Sequence, residues 1–177
     1  MSSIPPISFR QALESDVDFL RALRAATMRE VVLRHQGWCD EEQNQRVIFH
    51  FESARIIVSG GREIGLLKVV REVDHVHLVQ IQLLPAFQGR GVGTTVIVAL
   101  QEEYGPLGMP IILQAYASNR AVALYSRLGF AIVDRSEHSY TMRWQKLITE
   151  PNQALQHNDR VCHGLCRRTL RARHGRG

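Results

Sequence analysis

The chain is 177 residues long, about the size of one domain on a prior of ~150 residues each, and 45% of it is hydrophobic, which excludes wholesale disorder. Its formal charge is +5 and its pI near 9.6, but the excess is local. Residues 151–177 carry Arg160, Arg167, Arg168, Arg171, Arg173 and Arg176 against Asp159 alone, while residues 1–150 hold 16 basic and 16 acidic side chains, which removes the easy inference of nucleic-acid binding by the domain. The longest apolar runs, such as 96–100, fall far short of the ~18 residues of a membrane span, so no membrane partner is expected. Residues 1–10 contain no apolar signal core, and the three cysteines, Cys39, Cys162 and Cys166, make no disulfide framework. A reducing, cytoplasmic setting is the expectation.

Residues 7–11 open a strand. Val17, Leu20, Leu23 and Ala26, with Leu33 further on, recur at helical spacing behind Ser15 or Asp16 as a cap. Gly37-Trp38 interrupts that helix, and Asp40, Glu42 and Gln43 start a second, short one. Residues 55–59, 63–72 and 75–84 are rich in Val, Ile and Leu, and the intervening Gly60-Gly61 and Val73-Asp74 read as hairpin turns. Beyond Pro85 the run Gln88-Gly89-Arg90-Gly91-Val92-Gly93 leads into an apolar stretch over 92–104, long enough for three helical turns and stopped by Gly105-Pro106. Residues 111–116 form another strand. A helix over 119–128 places Ala121, Leu124, Tyr125 and Leu128 on one face, with Gly129 at its C′ position. Residues 130–133 and 139–144 are closing strands. This order describes a mixed α/β domain with antiparallel hairpins, not a doubly wound sheet.

The glycine loop carries the most chemistry. A helix start leaves N–H groups unpaired and bears the positive end of the macrodipole, so it binds phosphate well. Glycines let the backbone approach the anion without a Cβ in the way, and Arg90 adds a charge-assisted contact. A P-loop would need a lysine after the last glycine, where Thr94 stands, and a Rossmann loop would open a first βαβ unit. The segment predicts a ligand with a phosphate or pyrophosphate.

Gln88-x-x-Gly91-x-Gly93 after an apolar strand resembles the coenzyme A loop of the GNAT N-acetyltransferase superfamily. Residues 117–130, Ala-Ser-Asn-Arg-Ala-Val-Ala-Leu-Tyr-Ser-Arg-Leu-Gly-Phe, are very similar to the second signature of the same family, in the same order and separation. The resemblance covers residues 7–146; over the N-terminal helices it is one of pattern only. It implies a central, mostly antiparallel, splayed sheet flanked by helices, and acetyl-CoA as co-substrate, with no metal. Gln82, Leu83 and Leu84 would offer backbone groups to the pantetheine arm, and Leu83 and Leu84 an apolar wall. The amides of Gln88, Gly89, Arg90, Gly91, Val92, Gly93 and Thr94 would hold the pyrophosphate. Asn119 would contact the arm, and Tyr125 would lie near the sulfur.

The implied reaction is attack of an amine on the thioester through a tetrahedral intermediate. A phenol of pKa ~10 can protonate a leaving thiolate of pKa ~8.5, so Tyr125 fits a general acid, and a backbone N–H at Leu83 fits a donor to the thioester carbonyl. Without the motif, Tyr125 on its apolar helix face reads as core. An alkyl ammonium of pKa ~10.4 is neutral in fewer than about one molecule in a thousand at pH 7, so a base is wanted. Many relatives place a glutamate in one of two central strands, where this chain has Gln80, Gln82 and Gln114, which orient water but take no proton. Other candidates are Glu30, Glu72, Asp74, His75 and His77, the two histidines sharing one strand face by parity. Acceptor specificity is expected between Met28 and Trp38 and at the hairpin tips, with Trp38 either walling a pocket or anchoring its loop.

Residues 1–150 thus read as the acetyltransferase domain and residues 151–177 as a basic, disordered extension. Cys162-His163-x-x-Cys166 with His157 and His174 makes four N/S metal ligands available, but the spacings follow no usual zinc site. Such an extension could touch RNA or an acidic partner in a salt-dependent way. The acceptor is an amine of a small molecule or a peptide α-amine, and a homodimer is admitted. The alternative function is a non-catalytic acetyl-CoA-binding module or sensor that has lost the base.

Overall fold

The protein is described by a computed structural model over residues 5–35 and 37–146. The elements are β1 (Ile7–Gln11), α1 (Val17–His35), α2 (Asp40–Ile48), β2 (Ala54–Ser59), β3 (Arg62–Arg71), β4 (Val76–Leu83), α3 (Val92–Tyr104), β5 (Ile111–Tyr116), α4 (Ala121–Arg127), β6 (Ala131–Arg135) and β7 (Ser139–Trp144). Their order is the expected one, and the seven strands form one sheet in the order β1-β2-β3-β4-β5-β7-β6. Every neighbouring pair is antiparallel except β4 and β5. No helix among the described residues is long and apolar enough to cross a membrane.

Leu20 and Leu23 of α1 and Val47 of α2 cover one face of the sheet, over Ala54, Ile56 and Leu66. Val96, Ile97 and Leu100 of α3 and Tyr125 of α4 cover the other, over Ile57, Leu67, Leu78, Ile111 and Met142. One expectation shifts at the start of α1. Asp16 turns its carboxylate back to the Leu13 N–H (2.7 Å) and onto Arg10 (2.7 and 2.8 Å) rather than onto the helix it precedes.

The sheet opens between β4 and β5. They pair only through Val76↔Ile111, His77↔Ile112 and Leu78↔Leu113, although β4 continues to Leu83 and β5 to Tyr116. Beyond that point β4 stays paired with β3 and β5 with β7, so the two halves of the sheet diverge. A bulge sits at the same place: Lys68 faces Gln80 and Val69 faces Leu78, which leaves Val79 as an extra residue. Strict alternation would put Gln80 and Gln82 on the face of Val76 and Leu78. The bulge instead turns them to the face of His77, opposite Lys68 and Leu66, beneath α1 and α2. The parity that grouped His75 with His77 therefore missed the companions that matter.

Two residues of β3 hold this arrangement. A Cβ at Gly65 would stand 2.3 Å from the Gln82 carbonyl oxygen, so only glycine lets β3 lie this close to the diverging end of β4. Lys68 has no exposed surface, and its Nζ donates to the carbonyls of Val47 (2.7 Å), Phe49 (2.6 Å) and Arg46 (3.3 Å) at the C-terminus of α2. A buried ammonium is thereby matched to the negative end of a helix.

Both residues give measurable expectations. Gly65→Ala should lower unfolding free energy by about 1–3 kcal/mol in urea titrations, because the clash is with backbone that cannot step aside. Burial, with the charge of Arg24 pushing the same way, brings Lys68 down to about 8 from its ordinary 10.5. Between those values the unfolded chain binds more protons than the folded one, so stability rises with pH across that window. The rise amounts to at most about 3 kcal/mol. It should be missing from the same titrations of Lys68→Met at pH 7.5, 9 and 10.5.

Candidate active site

The divergence of β4 from β5 makes a cleft with two connected halves, of about 730 and 1020 Å³. Met28, Ile81, Gln82, Asn119 and Tyr125 line both, so these residues mark the junction. The larger half is reached by Leu83, Gln88, Gly89, Ser118, Arg120 and Leu124, and the smaller lies under α1 and α2.

At the larger half the loop has the backbone form of an anion cradle. Gly89 and Gly91 have φ of +70° and +88°, left-handed values that a side chain would strain. The helical ladder of α3 begins with the Thr95 N–H on the Gly91 carbonyl (3.0 Å). Among the described residues the N–H groups of Gly89, Arg90, Gly91, Val92, Gly93 and Thr94 have no protein acceptor. Six unpaired donors at a helix start fit a pyrophosphate. Gln88 differs from the expectation: its own N–H goes to the Pro85 carbonyl (3.2 Å), and its side chain donates to the Leu83 carbonyl (2.8 Å) and accepts from Arg120 (3.4 Å). It clasps the loop to the end of β4. The Val92 side chain is core, and Arg90 and Thr94 are exposed.

The strand leading into the loop is equally divided. The Leu84 N–H bonds the Ile64 carbonyl (2.8 Å), and Leu84 packs with the α1–α2 cluster rather than lining the cleft. Strand alternation then turns the Leu83 N–H to the opposite, open edge. Asn119 accepts the Ala121 N–H on Oδ1 (2.9 Å), capping α4, while its side-chain amide N–H groups have no partner among the described residues. Tyr125 is 6% exposed and packs at 5.7 Å between ring centroids with Phe130. Burial pushes its phenol up to about 12, so it holds its proton throughout the neutral range.

The smaller half contains Gln80, Gln82 and Gln114 together with His77, Arg24 and Arg46. Gln80 Nε2 and Gln82 Oε1 are buried without a hydrogen-bond partner. His77 is half-buried, and burial first, then the charges of His75 and His50, holds it below the ordinary histidine value. The other base candidates separate from it. Glu72, Asp74 and His75 belong to the β3–β4 hairpin tip, with His75 on Asp74 (2.7 Å), and line neither half. Glu30 lines the larger half and is paired with Arg34. Trp38 donates to Asp40 (2.7 Å) and carries Arg29 over its ring, so it anchors its loop instead of walling the cleft.

Sequence reasoning passed over Arg24, Gln43, Arg46 and Arg120. Arg24 left a signal: it lies four residues after Leu20 on the apolar stripe of α1, where a charge is out of place. The proposed extension, with its cysteines and histidines, lies outside the described residues.

A family model for the acetyltransferase (GNAT) domain matches residues 45–132. No curated protein shows a significant sequence match. Among solved structures, the PaiA N-acetyltransferase of Thermoplasma acidophilum in complex with coenzyme A aligns with a TM-score of 0.63 at 13% identity, over 78% of this chain and 98% of that one. The ribosomal-protein-S18-alanine N-acetyltransferase of Escherichia coli aligns at 0.58 and 18%, over 85% and 99%. Arabidopsis thaliana Naa50, in complex with the bisubstrate analogue CoA-Ac-MVNAL, aligns at 0.55 and 17%, over 78% and 97%. At these identities the structures speak for the fold. With the matched domain running from α2 across the glycine loop and α4 to β6, the chain belongs to the GNAT acetyltransferase family and is an acyltransferase.

Proposed function

We propose that the chain transfers the acetyl group of acetyl-CoA to a primary amine, of a small molecule or at a peptide α-position. The observation that carries this reading is the run of six unpaired amides, Gly89 to Thr94, on a loop that enters one half of a cleft at Gly89, with Tyr125 lining the junction of the two halves. Bound acetyl-CoA supplies an acetyl thioester. The six amides hold its pyrophosphate, and the open edge at Leu83 takes the arm, with the Leu83 N–H donating to the thioester carbonyl, while the Gln82 backbone, like that of Leu84, faces β3. Tyr125, kept neutral by burial, gives its proton to the departing thiolate.

His77 is the group in the acceptor half suited to take the proton from the amine. Burial keeps it neutral at physiological pH, and it has no hydrogen-bond partner among the described residues. Gln80 and Gln82 share its face and can orient a water between them. The catalytic domain lies within residues 1–150, and the exposed, free Cys39 fits a reducing cytoplasm.

The second reading, an acetyl-CoA sensor without turnover, draws on the glutamines of the cleft floor, none of which can act as a base. Calorimetry with acetyl-CoA, then free-thiol release on an amine panel, separates the two. Absence of binding sinks both, and binding without release on any amine favours the sensor. Given turnover, Tyr125→Phe should lower kcat about 100-fold, with acetyl-CoA affinity monitoring the fold; undiminished release would take the acid role from Tyr125.

His77→Gln should cost about 100-fold in kcat/KM at pH 7.5. Its lowered pKa fixes the sign of the pH effect: the neutral imidazole is present above that value and lost as pH falls through it. The wild-type advantage over His77→Gln should therefore shrink only below about pH 6.5. A pH-independent ratio removes His77 as base.

A further inference from the structure

Three cations gather around the acceptor half with no carboxylate paired to any of them. Arg24 projects from α1, Arg46 from α2, and the Lys68 ammonium lies beneath the C-terminus of α2. Neither arginine forms an ion pair among the described residues, and the one carboxylate lining this half, Glu42, is bonded to neither. The cations oppose one another. Arg24 is held down to about 10 by burial and by the charge of Arg46, and Arg24 in turn depresses Lys68. A half-buried guanidinium without a counter-ion is costly unless something else supplies the charge.

Arg24 is also aimed. Its Nε donates to Oε1 of Gln43 (2.8 Å), and Gln43 is a polar side chain only 6% exposed. That bond fixes the plane of the guanidinium and leaves both Nη groups without a partner among the described residues. The free edge of a fixed guanidinium matches the two oxygens of a carboxylate or phosphate. Pyrophosphate binding does not require it, since the loop that carries the six amides reaches the other half, through Gly89, and Arg24 does not line that half.

We propose that the acceptor amine carries an oxyanion, a carboxylate or a phosphate, which Arg24 binds bidentately with Arg46 at the mouth of the cleft. This rests on the reading of the cleft as an acetyl-transfer site. It makes Arg24 and Arg46 specificity residues and Gln43 a positioning residue. An acidic acceptor also fits a floor without carboxylates, because Gln80, Gln82 and Gln114 add no repulsion.

The test compares matched amines on the full chain: 4-aminobutyrate against butylamine, phosphoethanolamine against ethanolamine, and an α-amino acid against its amide. At least one anionic member should exceed its neutral partner in kcat/KM by about tenfold or more, and which pair does so separates carboxylate from phosphate. In Arg24→Gln that ratio should fall to near one, and in Gln43→Leu it should fall through a raised KM with kcat retained. Acetyl-CoA affinity reports whether each variant is folded. Equal turnover of the members of every pair overturns the oxyanion site and leaves the acetyl-transfer reading standing. If acetyl-CoA binds but no amine is turned over, the transfer reading fails, and thermal shifts with succinate and inorganic phosphate decide the anion site separately. A shift present in wild type and lost in Arg24→Gln supports the site; no shift up to 10 mM, a concentration of the order expected for a weak anion site, overturns it.

Discussion

Three residue pairs, Val76 to Leu78 against Ile111 to Leu113, join the two halves of the sheet, and the site exists because they are so few. A parallel ladder that continued to Leu83 would close the cleft and bury the edge of β4 against β5. Because it stops, backbone groups face an interior space, an arrangement that stays favourable only if water or a ligand pairs them. The divergence is fixed from the side where pairing is intact. Gly65 lets β3 approach the Gln82 backbone, and the bulge at Val79 rotates the remainder of β4. The cleft is thus held open by strand pairing on the side away from it.

The site uses two kinds of electrostatics. At the glycine-loop end the positive potential comes from neutral amides and a helix dipole, which work without altering the net charge of residues 1–150. In the smaller half of the cleft it comes from formal charges gathered under α1 and α2, with Lys68 matched to helix carbonyls instead of to an acid. A domain with equal numbers of acids and bases is therefore strongly uneven where chemistry occurs. Its overall balance concealed the acceptor half as completely as the arginines after residue 150 distorted the whole-chain charge.

Much of the fold was legible because local physics decided it. Gly105-Pro106 ends α3 where expected, the Gly60-Gly61 turn joins β2 to β3, and the Gln88–Gly93 segment opens a helix. The run of unpaired amides at that helix start was readable for the same reason, since a glycine loop before a helix has only local requirements. The acceptor half was not. His77 and the glutamines share a face because of one extra residue at Val79, and period-two reading cannot locate a bulge. Glu72, Asp74 and His75 have the right chemistry and lie at a hairpin tip. Arg24 reaches the cleft through the docking of α1 on the sheet, and its aim depends on Gln43 in another helix.

The sequence by itself determined the order of elements, the glycine loop that opens α3 and the presence of Tyr125 on an apolar helix face. These depend on neighbours within a few turns of chain, where backbone sterics and hydrogen bonding act. Tertiary structure alone decided where the sheet splits, which of five base candidates reaches the smaller half of the cleft, and that three cations gather there without an ion pair. Those outcomes rest on contacts between residues tens of positions apart, such as Lys68 with Val47 and Arg24 with Gln43. No local preference specifies such pairs; packing density and the need to satisfy buried charge do.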